Sequence, residues 1–242
     1  MRGRGAERRP SSKRPFILGL TGSIGMGKTT AARMLKALGF PVHSADAAVH
    51  RLLGPDGKAV PAVGRLFPEA RRGRGINRRI LGEVVAQNPE KLKALEAVLH
   101  PLVAASEKAF VRENRAARAV VLEIPLLFET GAESRCDATI CMTATASVQR
   151  ARVVARPGMT LKKFHVLRRN QWTDAAKRRK ADFVVTSAKG LSETRRCLRD
   201  IVRDLGLLDV RQHGIQGPFS HPRPPPSSSR RKPGSRAVFR DS

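Results

Sequence analysis

One stretch of the sequence, Phe16–Thr29, reads FILGLTGSIGMGKT and indicates a particular class of fold. Its first five residues, Phe16–Leu20, are a short, continuous apolar run of the kind that is buried in a parallel β-sheet. The residues that follow, Gly22–Thr29, match the pattern GxxxxGK[ST] in full. A helix is predicted from about Lys28, because alanines and leucines recur on one stripe before Gly39. The order strand, glycine loop, helix is the one that a phosphate-binding loop requires.

The glycine loop has the chemistry of a nucleoside triphosphate site. Glycines permit positive φ angles and let several backbone N–H groups converge on phosphate oxygens, and the following helix adds the positive end of its dipole. Lys28 can reach the β- and γ-phosphates, and the Thr29 hydroxyl can bind Mg²⁺. The alternative is a glycine-rich turn without a ligand, but the position of the loop between a strand and a helix favours phosphate binding. The residues expected to hold the nucleotide are Gly22, Gly25, Met26, Gly27, Lys28, Thr29 and Thr30.

Apolar β-type runs and helical runs alternate over most of the remaining chain. Further strands are predicted at Pro41–Ser44, Ala119–Ile124, Ala138–Met142 and Asp182–Val185. Alternation of this kind predicts an α/β fold, with a parallel sheet and helices on both faces. The segment of about residues 47–117 is mostly helical in pattern and too long for a simple crossover. We therefore expect a helical subdomain inserted between the second and third strands.

The two ends of the chain differ in composition from residues 16–210, the predicted domain. Residues 1–15 are rich in Arg, Gly and Ser, and residues 211–242 contain a Pro- and Ser-rich tract, so we predict a disordered basic arm and a disordered tail. The ends contribute +5 and +6 to a formal net charge of +27. Such a charge favours nucleic-acid binding, but one Trp and no Tyr leave few rings to stack on bases. We therefore do not expect nucleic acid as a functional partner.

The cysteines and the hydropathy of the chain indicate in which cellular compartment the protein works and whether it spans a membrane. The three cysteines lack CxxC spacing, which argues against a disulfide framework and against a zinc ribbon. A reducing compartment fits them best, and we predict a cytoplasmic protein. An organellar transit peptide stays open as an alternative interpretation of the N-terminal arm, which is rich in Arg and has one acid. The longest apolar stretch, Val120–Phe128, is interrupted by Glu123 and Pro125 and is far shorter than the roughly 20 residues that a membrane-spanning helix needs. No membrane partner is expected.

Two further regions carry candidate catalytic residues. Asp46 follows the second predicted strand, at the carboxyl edge of the sheet where α/β proteins bind ligands. A carboxylate there can accept the proton of an attacking hydroxyl or help to hold Mg²⁺, but Asp is also a favoured helix N-cap, and spacing alone leaves both open. Arg152 and Arg156, in the basic stretch 150–172, are four residues apart and on a helix would share one face. They either close over a polyphosphate as parts of a lid or belong to a solvated basic surface.

These features together resemble the dephospho-CoA kinase family, P-loop enzymes that complete coenzyme A synthesis. The similarity covers about residues 16–205 in the order of the family. The segments that carry it are Leu18–Thr29, Ala45–His50, Asn77-Arg78 with Leu81-Gly82, Leu95–Leu102, Ile124–Glu129, Ala155–Thr160, Lys177-Arg178 and Ala181–Val185.

The resemblance implies a fold and an activity. The fold is an α/β P-loop NTPase core with a five-stranded parallel sheet, a helical substrate-binding insertion and a lid. The activity is transfer of the ATP γ-phosphoryl group to the ribose 3′-hydroxyl of dephospho-CoA, with Mg²⁺. By the match, Asp46 would deprotonate or orient the hydroxyl, Thr29 would bind the metal, and the catalytic cations would be Lys28, Arg152 and Arg156. The implied acceptor-binding residues are Arg78, His100, Pro125, Leu126 and Glu129.

The sequence departs from the family pattern at four places, one of which is Trp172, where the family usually has Met or another aliphatic residue. Ser44 stands where the family often has a second acid near Asp46, Glu123 stands where close relatives often carry Asp, and Thr186–Gly190 replaces the usual segment beside the adenine. Because of the change at Ser44, a catalytically weakened relative stays open as a second interpretation. A different small-molecule P-loop kinase, or a P-loop ATPase that nucleic acid stimulates, would also contain the glycine loop.

Overall fold

The computed structural model describes residues 14–86, 88–160, 164 and 171–208, which all belong to the compact unit of residues 1–210. The strands are β1 Phe16–Thr21, β2 Val42–Ser44, β3 Arg71–Arg72, β4 Gly75–Ile76, β5 Ala119–Glu123, β6 Ala138–Thr143 and β7 Phe183–Thr186. The α-helices are α1 Lys28–Ala37, α2 Ala45–Leu53, α3 Val60–Leu66, α4 Arg78–Ala86, α5 Pro89–Glu113, α6 Ala146–Val154, α7 Asp174–Lys180 and α8 Leu191–Asp204. The predicted tail, the predicted arm except for its last two residues and the middle of the predicted lid lie outside the described residues.

Five strands form one parallel sheet in the order β2-β5-β1-β6-β7. Leu18 of the central strand β1 lies opposite Val121 of β5 and Ala138 of β6. Every residue of β1, β5 and β6 is buried, as expected for a sheet that is covered on both faces. The predicted five-stranded parallel sheet is confirmed, and each predicted strand matches its observed bounds to within one residue at either end.

Alternate residues of the central strands build two apolar clusters, one on each face of the sheet. Leu18 belongs to the cluster that includes Leu35 of α1 and Leu198 of α8. Its neighbour Ile17 belongs to the cluster that includes Phe128, in the segment after β5. The apolar run that identified β1 is therefore continuous because both faces of the strand are buried.

Helices α2–α5 and a short hairpin occupy the segment between β2 and β5. They have an apolar cluster of their own, which includes Val63 of α3, Leu81 of α4 and Leu95 of α5. That these helices form a separate subdomain stays a prediction. The hairpin, in which β3 and β4 pair Arg71 with Ile76, was not expected. Its strands are two residues long and lack the apolar alternation by which a strand is recognised in a sequence.

Helix α5 connects this segment to the sheet. The Asn88 side chain caps it by accepting hydrogen bonds from the backbone N–H groups of Glu90 and Lys91, each at 3.0 Å. Its first half contributes Leu95 and Leu99 to the cluster of the inserted segment, and Phe110 packs against the cluster at the sheet. None of the helices within the described ranges is both long enough and apolar enough to cross a membrane.

Gly22 connects β1 to the glycine loop in a conformation that other residues adopt with strain. Its φ is +140°, and a Cβ at this position would lie 2.4 Å from the backbone oxygen of Met142 in β6. Because that contact is with backbone, a rotamer change cannot relieve it. The close approach of the loop to β6 therefore requires glycine.

We predict that Gly22→Ala lowers the free energy of unfolding by about 2 kcal/mol or more, through the clash with β6 added to the strained φ. Gly39→Ala is the matched control, since Gly39 also has a positive φ, +93°, but open space around its Cβ position. The control should lose only about 1 kcal/mol. Urea denaturation measures both values, and equal losses for the two variants would contradict the account of Gly22.

Candidate active site

A cavity of about 1110 Å³ opens at the carboxyl edge of the parallel sheet, where α/β proteins bind their ligands. Its walls come from the glycine loop, the start of α2, one face of α5, the segment after β5, the two described ends of the predicted lid and the start of α8. Its lining includes Ile24, Gly25, Gly27, Lys28, Thr29, Thr30, Asp46, His100, Glu107, Glu123, Pro125, Leu126, Arg152, Arg156, Gln171 and Ser187. The cavity thus brings together residues from the whole length of the described domain.

The glycine loop has the geometry of an anion-binding nest. Gly25 and Gly27 have φ angles of +80° and +89°, and Gly27 is the N-cap of α1. Left-handed conformations at such positions let successive backbone N–H groups face the same point. Among the predicted nucleotide-binding residues, Met26 is buried and Gly22 lies beneath the loop, so neither is part of the cavity lining.

Lys28 is the partly buried cation of this loop. Its ammonium group donates hydrogen bonds to the backbone oxygens of Gly22, at 2.7 Å, and Ser23, at 3.2 Å. Burial lowers the pKa of Lys28 to about 8, although the negative charges of Asp46 and Glu123 act to raise it. An amine held in this way is prepared for a phosphate group, because an anion would stabilise its charged form.

Thr29 and Glu123 form a second polar pair beside Lys28. The Thr29 hydroxyl donates to Glu123 Oε1 at 3.3 Å, and Glu123, the last residue of β5, is only 5% exposed. A hydroxyl and a carboxylate next to a phosphate-binding loop are oxygen ligands of the kind that Mg²⁺ prefers. Within the part of the chain that the structure describes, no group of three or more His, Cys, Asp or Glu side chains is placed to hold a metal.

Asp46 lies in the first turn of α2, exposed and in the lining of the cavity. The N-cap of this helix is Ser44, whose hydroxyl accepts a hydrogen bond from the backbone N–H of Ala47 at 3.5 Å. Capping, which the sequence left open as an explanation of Asp46, is thus the role of Ser44. The carboxylate of Asp46 remains available at the edge of the sheet, close enough to Lys28 to act on its pKa.

The two lid arginines lie in different places. Arg152, on α6, donates to the Ser187 hydroxyl at 2.6 Å and to the Ser187 backbone oxygen at 2.9 Å. Arg156 lies beyond α6, which ends at Val154, and its charge acts to lower the pKa of Lys28. The two arginines would share one face only if a helix contained both, and Arg156 lies outside α6 because Pro157 disfavours helical geometry in the residue before it. Both arginines nevertheless line the cavity.

Two glutamines attach the glycine loop to both described ends of the lid segment. Gln149 of α6 donates from Nε2 to the Ile24 backbone oxygen at 2.8 Å. The Ile24 backbone N–H donates to Gln171 Oε1 at 3.3 Å. The conformation of the loop is therefore coupled to the segment that is expected to close over the phosphates.

Glu129, a predicted acceptor-binding residue, takes part in a buried network outside the cavity lining. Its Oε1 accepts a hydrogen bond from the backbone N–H of Trp172, at 2.8 Å, and lies 2.9 Å from the ammonium group of Lys177. Lys177 is fully buried and also donates to the Pro125 backbone oxygen at 2.8 Å. In this arrangement Glu129 ties the end of the lid to the segment after β5.

The remaining predicted acceptor residues divide into two groups. His100, Pro125 and Leu126 line the cavity, whereas Arg78 begins α4 as an exposed residue outside that lining. Residues of the site that the sequence reasoning left out of its candidate set are Glu107, Glu123, Gln149, Gln171 and Ser187. Glu123 carried a usable signal, an acid at the carboxyl end of a buried strand. Ser187 lies in the segment Thr186–Gly190, which the family resemblance places beside the adenine, but the two glutamines carried no signal.

Comparison with known proteins identifies what the chain is similar to. A family model described as dephospho-CoA kinase matches residues 16–193. A dephospho-CoA kinase of Novosphingobium aromaticivorans is 46% identical over 190 residues, which are 78% of this chain and 94% of the relative. One from Brucella abortus is 47% identical over 192 residues, covering 78% and 95%. The family resemblance that the sequence motifs indicated is confirmed.

Solved structures agree with the fold. The crystal structure of TT1252 from Thermus thermophilus has a TM-score of 0.70 and 37% identity, and the match covers 80% of this chain and 99% of that one. A dephospho-CoA kinase from Campylobacter jejuni has a TM-score of 0.55 at 24% identity, with 81% and 98% covered. The second likeness supports the fold alone.

The lowered pKa of Lys28 predicts a pH-dependent uptake of protons when a triphosphate binds. Phosphate oxygens favour the charged amine, so a lysine with a pKa of about 8 should take up roughly a quarter of a proton at pH 7.5 and about three-quarters at pH 8.5. Binding should accordingly weaken as the pH rises above 8. Calorimetry of ATP binding in two buffers of different ionisation enthalpy measures the uptake.

Two variants make this measurement specific. Lys28→Arg stays charged over the whole range and should remove the rise in proton uptake. Lys36→Met, at an exposed position of the same helix, should leave it unchanged. A proton uptake in the wild-type protein that does not increase between pH 7.5 and pH 8.5 would contradict the account of Lys28.

Proposed function

Because the chain belongs to the dephospho-CoA kinase family, we propose that it transfers the γ-phosphoryl group of ATP to the ribose 3′-hydroxyl of dephospho-CoA, giving coenzyme A and ADP. The observation that carries the proposal is the cavity that both the phosphate loop, with Lys28, and the carboxylate of Asp46 line. Phosphoryl transfer needs little covalent participation by the protein. It depends on positioning and on stabilisation of charge.

The glycine loop and Lys28 would bind the triphosphate. The backbone N–H groups after Gly25 and Gly27, together with the start of α1, offer partial positive charge. Lys28 exchanges its contacts with the carbonyls of Gly22 and Ser23 for contacts with phosphate oxygens. The gain in this exchange is largest in the transition state, when negative charge on the transferred group is spread over its equatorial oxygens.

Asp46 would orient the acceptor hydroxyl and accept its proton. The carboxylate lies at the carboxyl edge of the sheet, and its alternative role as a helix cap is taken by Ser44. A base must come within hydrogen-bond reach of the proton that it removes. The acceptor ribose therefore binds with its 3′-oxygen between Asp46 and the γ-phosphate.

Thr29 and Glu123 are the protein groups that fit a magnesium ion. The hydroxyl and the carboxylate are already neighbours, and each presents oxygen to the place where the β- and γ-phosphates would lie. Bound Mg²⁺ would neutralise charge on the phosphates. The carboxylate of Glu123 reaches the Thr29 hydroxyl directly.

The arginines of the lid would have separate roles. Arg156 is close enough to Lys28 to affect its pKa, so it is the residue that we assign to the transferring phosphate. Arg152 is held by Ser187, in the segment that the family uses beside the adenine of ATP. It would close the nucleotide end of the cavity and exclude water.

The remaining walls suit a bulky acceptor. One face of α5, including Leu95 and Leu99, shares the cavity with Leu126, and such apolar walls with few polar groups are typical of small-molecule sites. The free cysteines of the described domain fit the cytoplasm as the place of the reaction. We assign no nucleic-acid partner.

A turnover assay separates the proposed reaction from the competing ones. ADP release by the full-length chain should require dephospho-CoA, and ³¹P NMR of the product should place the new phosphate on the ribose 3′-oxygen. Shikimate or a nucleoside monophosphate should not replace dephospho-CoA as acceptor. ADP release that polynucleotide stimulates and dephospho-CoA does not would overturn the proposal in favour of a nucleic-acid-dependent ATPase.

We predict that Asp46→Asn lowers kcat by about 10²-fold or more, because the amide cannot accept the hydroxyl proton. ATP binding, measured by calorimetry, should change by less than about threefold, since the role assigned to Asp46 is toward the acceptor and not toward the nucleotide. Asp204→Asn, an exposed acid at the end of α8, is the matched control and should keep normal turnover. Near-normal kcat in Asp46→Asn would remove Asp46 from the mechanism.

A further inference from the structure

Two buried polar side chains hold the glycine loop by its backbone carbonyls. Gln149 of α6 donates from Nε2 to the Ile24 oxygen at 2.8 Å. The hydroxyl of Ser187, directly after β7, donates to the Met26 oxygen at 3.1 Å. The two side chains are only 6% and 8% exposed, so little water competes for these hydrogen bonds. Each bond fixes the direction in which one carbonyl of the loop points.

Arg152 determines the role of the Ser187 hydroxyl. Its Nη1 donates to the hydroxyl oxygen at 2.6 Å, and a guanidinium accepts no hydrogen bond. The hydroxyl hydrogen is therefore left for a carbonyl, and the oxygens of Met26, at 3.1 Å, and Thr143, at 3.3 Å, are within reach. The shorter of these contacts is with the glycine loop, so Ser187 is held as a donor toward it.

The direction of each carbonyl sets the direction of the N–H group that follows it. A trans peptide unit is planar, and its C=O and N–H bonds point in opposite directions. The described part of the chain contains no cis peptide bond. The N–H of Gly25 therefore points away from Gln149, and the N–H of Gly27 points away from Ser187. Within the described ranges these two N–H groups donate to no other residue, and both glycines line the cavity.

Close packing holds the loop in this orientation. A Cβ at Gly25 would lie 2.6 Å from Val153 Cγ2 of α6, and a Cβ at Gly27 would lie 3.2 Å from Ser187 Oγ. The loop thus rests directly on α6 and on the start of the segment after β7, which leaves its peptide units little room to turn over. Among the described residues that line the cavity, Gln149 is absent, so it can act on a bound phosphate only through the loop.

We propose that Gln149 and Ser187 are positioning residues for phosphate binding. Gln149 holds the carbonyl before Gly25 and thereby aims the N–H of that glycine at the phosphates. Ser187 holds the carbonyl before Gly27 with the same result. The inference rests on the proposed function, since it takes the ligand of the loop to be the triphosphate of ATP. Donors that are oriented before the ligand arrives cost less to order when it binds.

These two anchors differ from Lys28 in what happens to them when phosphate binds. Lys28 holds the carbonyls of Gly22 and Ser23, and in the proposed mechanism it exchanges these contacts for phosphate oxygens. The hydrogen bonds of Gln149 and Ser187 go to carbonyls that point away from the phosphates, so a ligand does not compete for them. They keep the loop in its binding shape while Lys28 changes partners.

Calorimetry of inorganic tripolyphosphate with the full-length chain tests this role, because the probe has no base or ribose that could touch Ser187. Gln149→Met removes the amide donor at similar side-chain length. Ser187→Ala removes the hydroxyl, while Arg152 Nη2 keeps its bond to the backbone oxygen of residue 187. Each variant should bind tripolyphosphate about five- to tenfold more weakly, the effect of one hydrogen bond.

Thr139→Val is the matched control for a general loss of stability. It removes another buried hydroxyl, one that donates to Asp182 at 2.7 Å near the start of β6, at the edge of the sheet opposite the cavity. Its tripolyphosphate affinity should stay within about twofold of the wild-type value, since distant sites act independently.

Amide chemical shifts give a readout that a merely structural role would not move selectively. In the wild-type protein, tripolyphosphate should shift the amide protons of Gly25 and Gly27 downfield, because both donate to charged oxygens. At saturating tripolyphosphate, Gln149→Met should reduce the shift at Gly25 more than the shift at Gly27. Ser187→Ala should do the reverse.

The outcomes separate this inference from the proposed function. Unchanged affinities in both variants, or equal changes of the two glycine shifts in each variant, would overturn the inference and leave the proposed function standing. Where one variant does not fold, the other variant and the wild-type protein decide, and a wild-type complex without a downfield shift at either glycine would overturn the inference. A wild-type protein that binds neither tripolyphosphate nor ATP would overturn the proposed function and the inference with it.

Discussion

The site depends on one interaction, in which the partly buried ammonium group of Lys28 is held by main-chain carbonyls of its own loop. Lys28 satisfies two carbonyls of its own loop, those of Gly22 and Ser23, and holds the loop open in the shape that phosphate oxygens need. The positive φ angles that make this shape possible are found at glycines, and the approach to β6 leaves no space for a side chain at Gly22. The same few residues thus determine both the backbone conformation of the loop and its chemistry.

The charged groups around Lys28 act on its pKa in opposite directions. Asp46 and Glu123 stabilise the ammonium form of Lys28, while Lys177 and Arg156 destabilise it. A bound triphosphate would offset the destabilising effect of Lys177 and Arg156, because its negative charge attracts these two cations as well as Lys28. Lys177 is fully buried, and a buried amine is tolerated only with partners. Its partners are Glu129 and the Pro125 carbonyl, and they connect the lid to the acceptor side.

Patterns of contiguous residues predicted the local structure, whereas contacts between residues far apart in the sequence were not predicted. The five strands, the glycine loop and the start of α1 follow from runs and spacings that are local in the chain. Local rules also account for the position of Arg156 outside α6, since Pro157 disfavours helical geometry in the residue before it. The attachment of Ile24 to Gln149, 125 residues away, and the hold of Ser187 on Arg152 had no local signal, because isolated glutamines and serines occur everywhere on protein surfaces. Glu107 was missed for the same reason: only the fold reveals that it is buried in a cavity.

The arrangement makes a definite geometric claim: Asp46 and the phosphate loop act on one ribose hydroxyl from opposite sides. A crystal structure of the full-length chain with a non-hydrolysable ATP analogue and dephospho-CoA tests that claim most directly. The account predicts the ribose 3′-oxygen within about 3 Å of an Asp46 carboxylate oxygen, in line with the γ-phosphate held by Lys28. A complex in which both ligands are bound while Asp46 faces away from that oxygen, or in which the ribose lies outside the cavity, would contradict it.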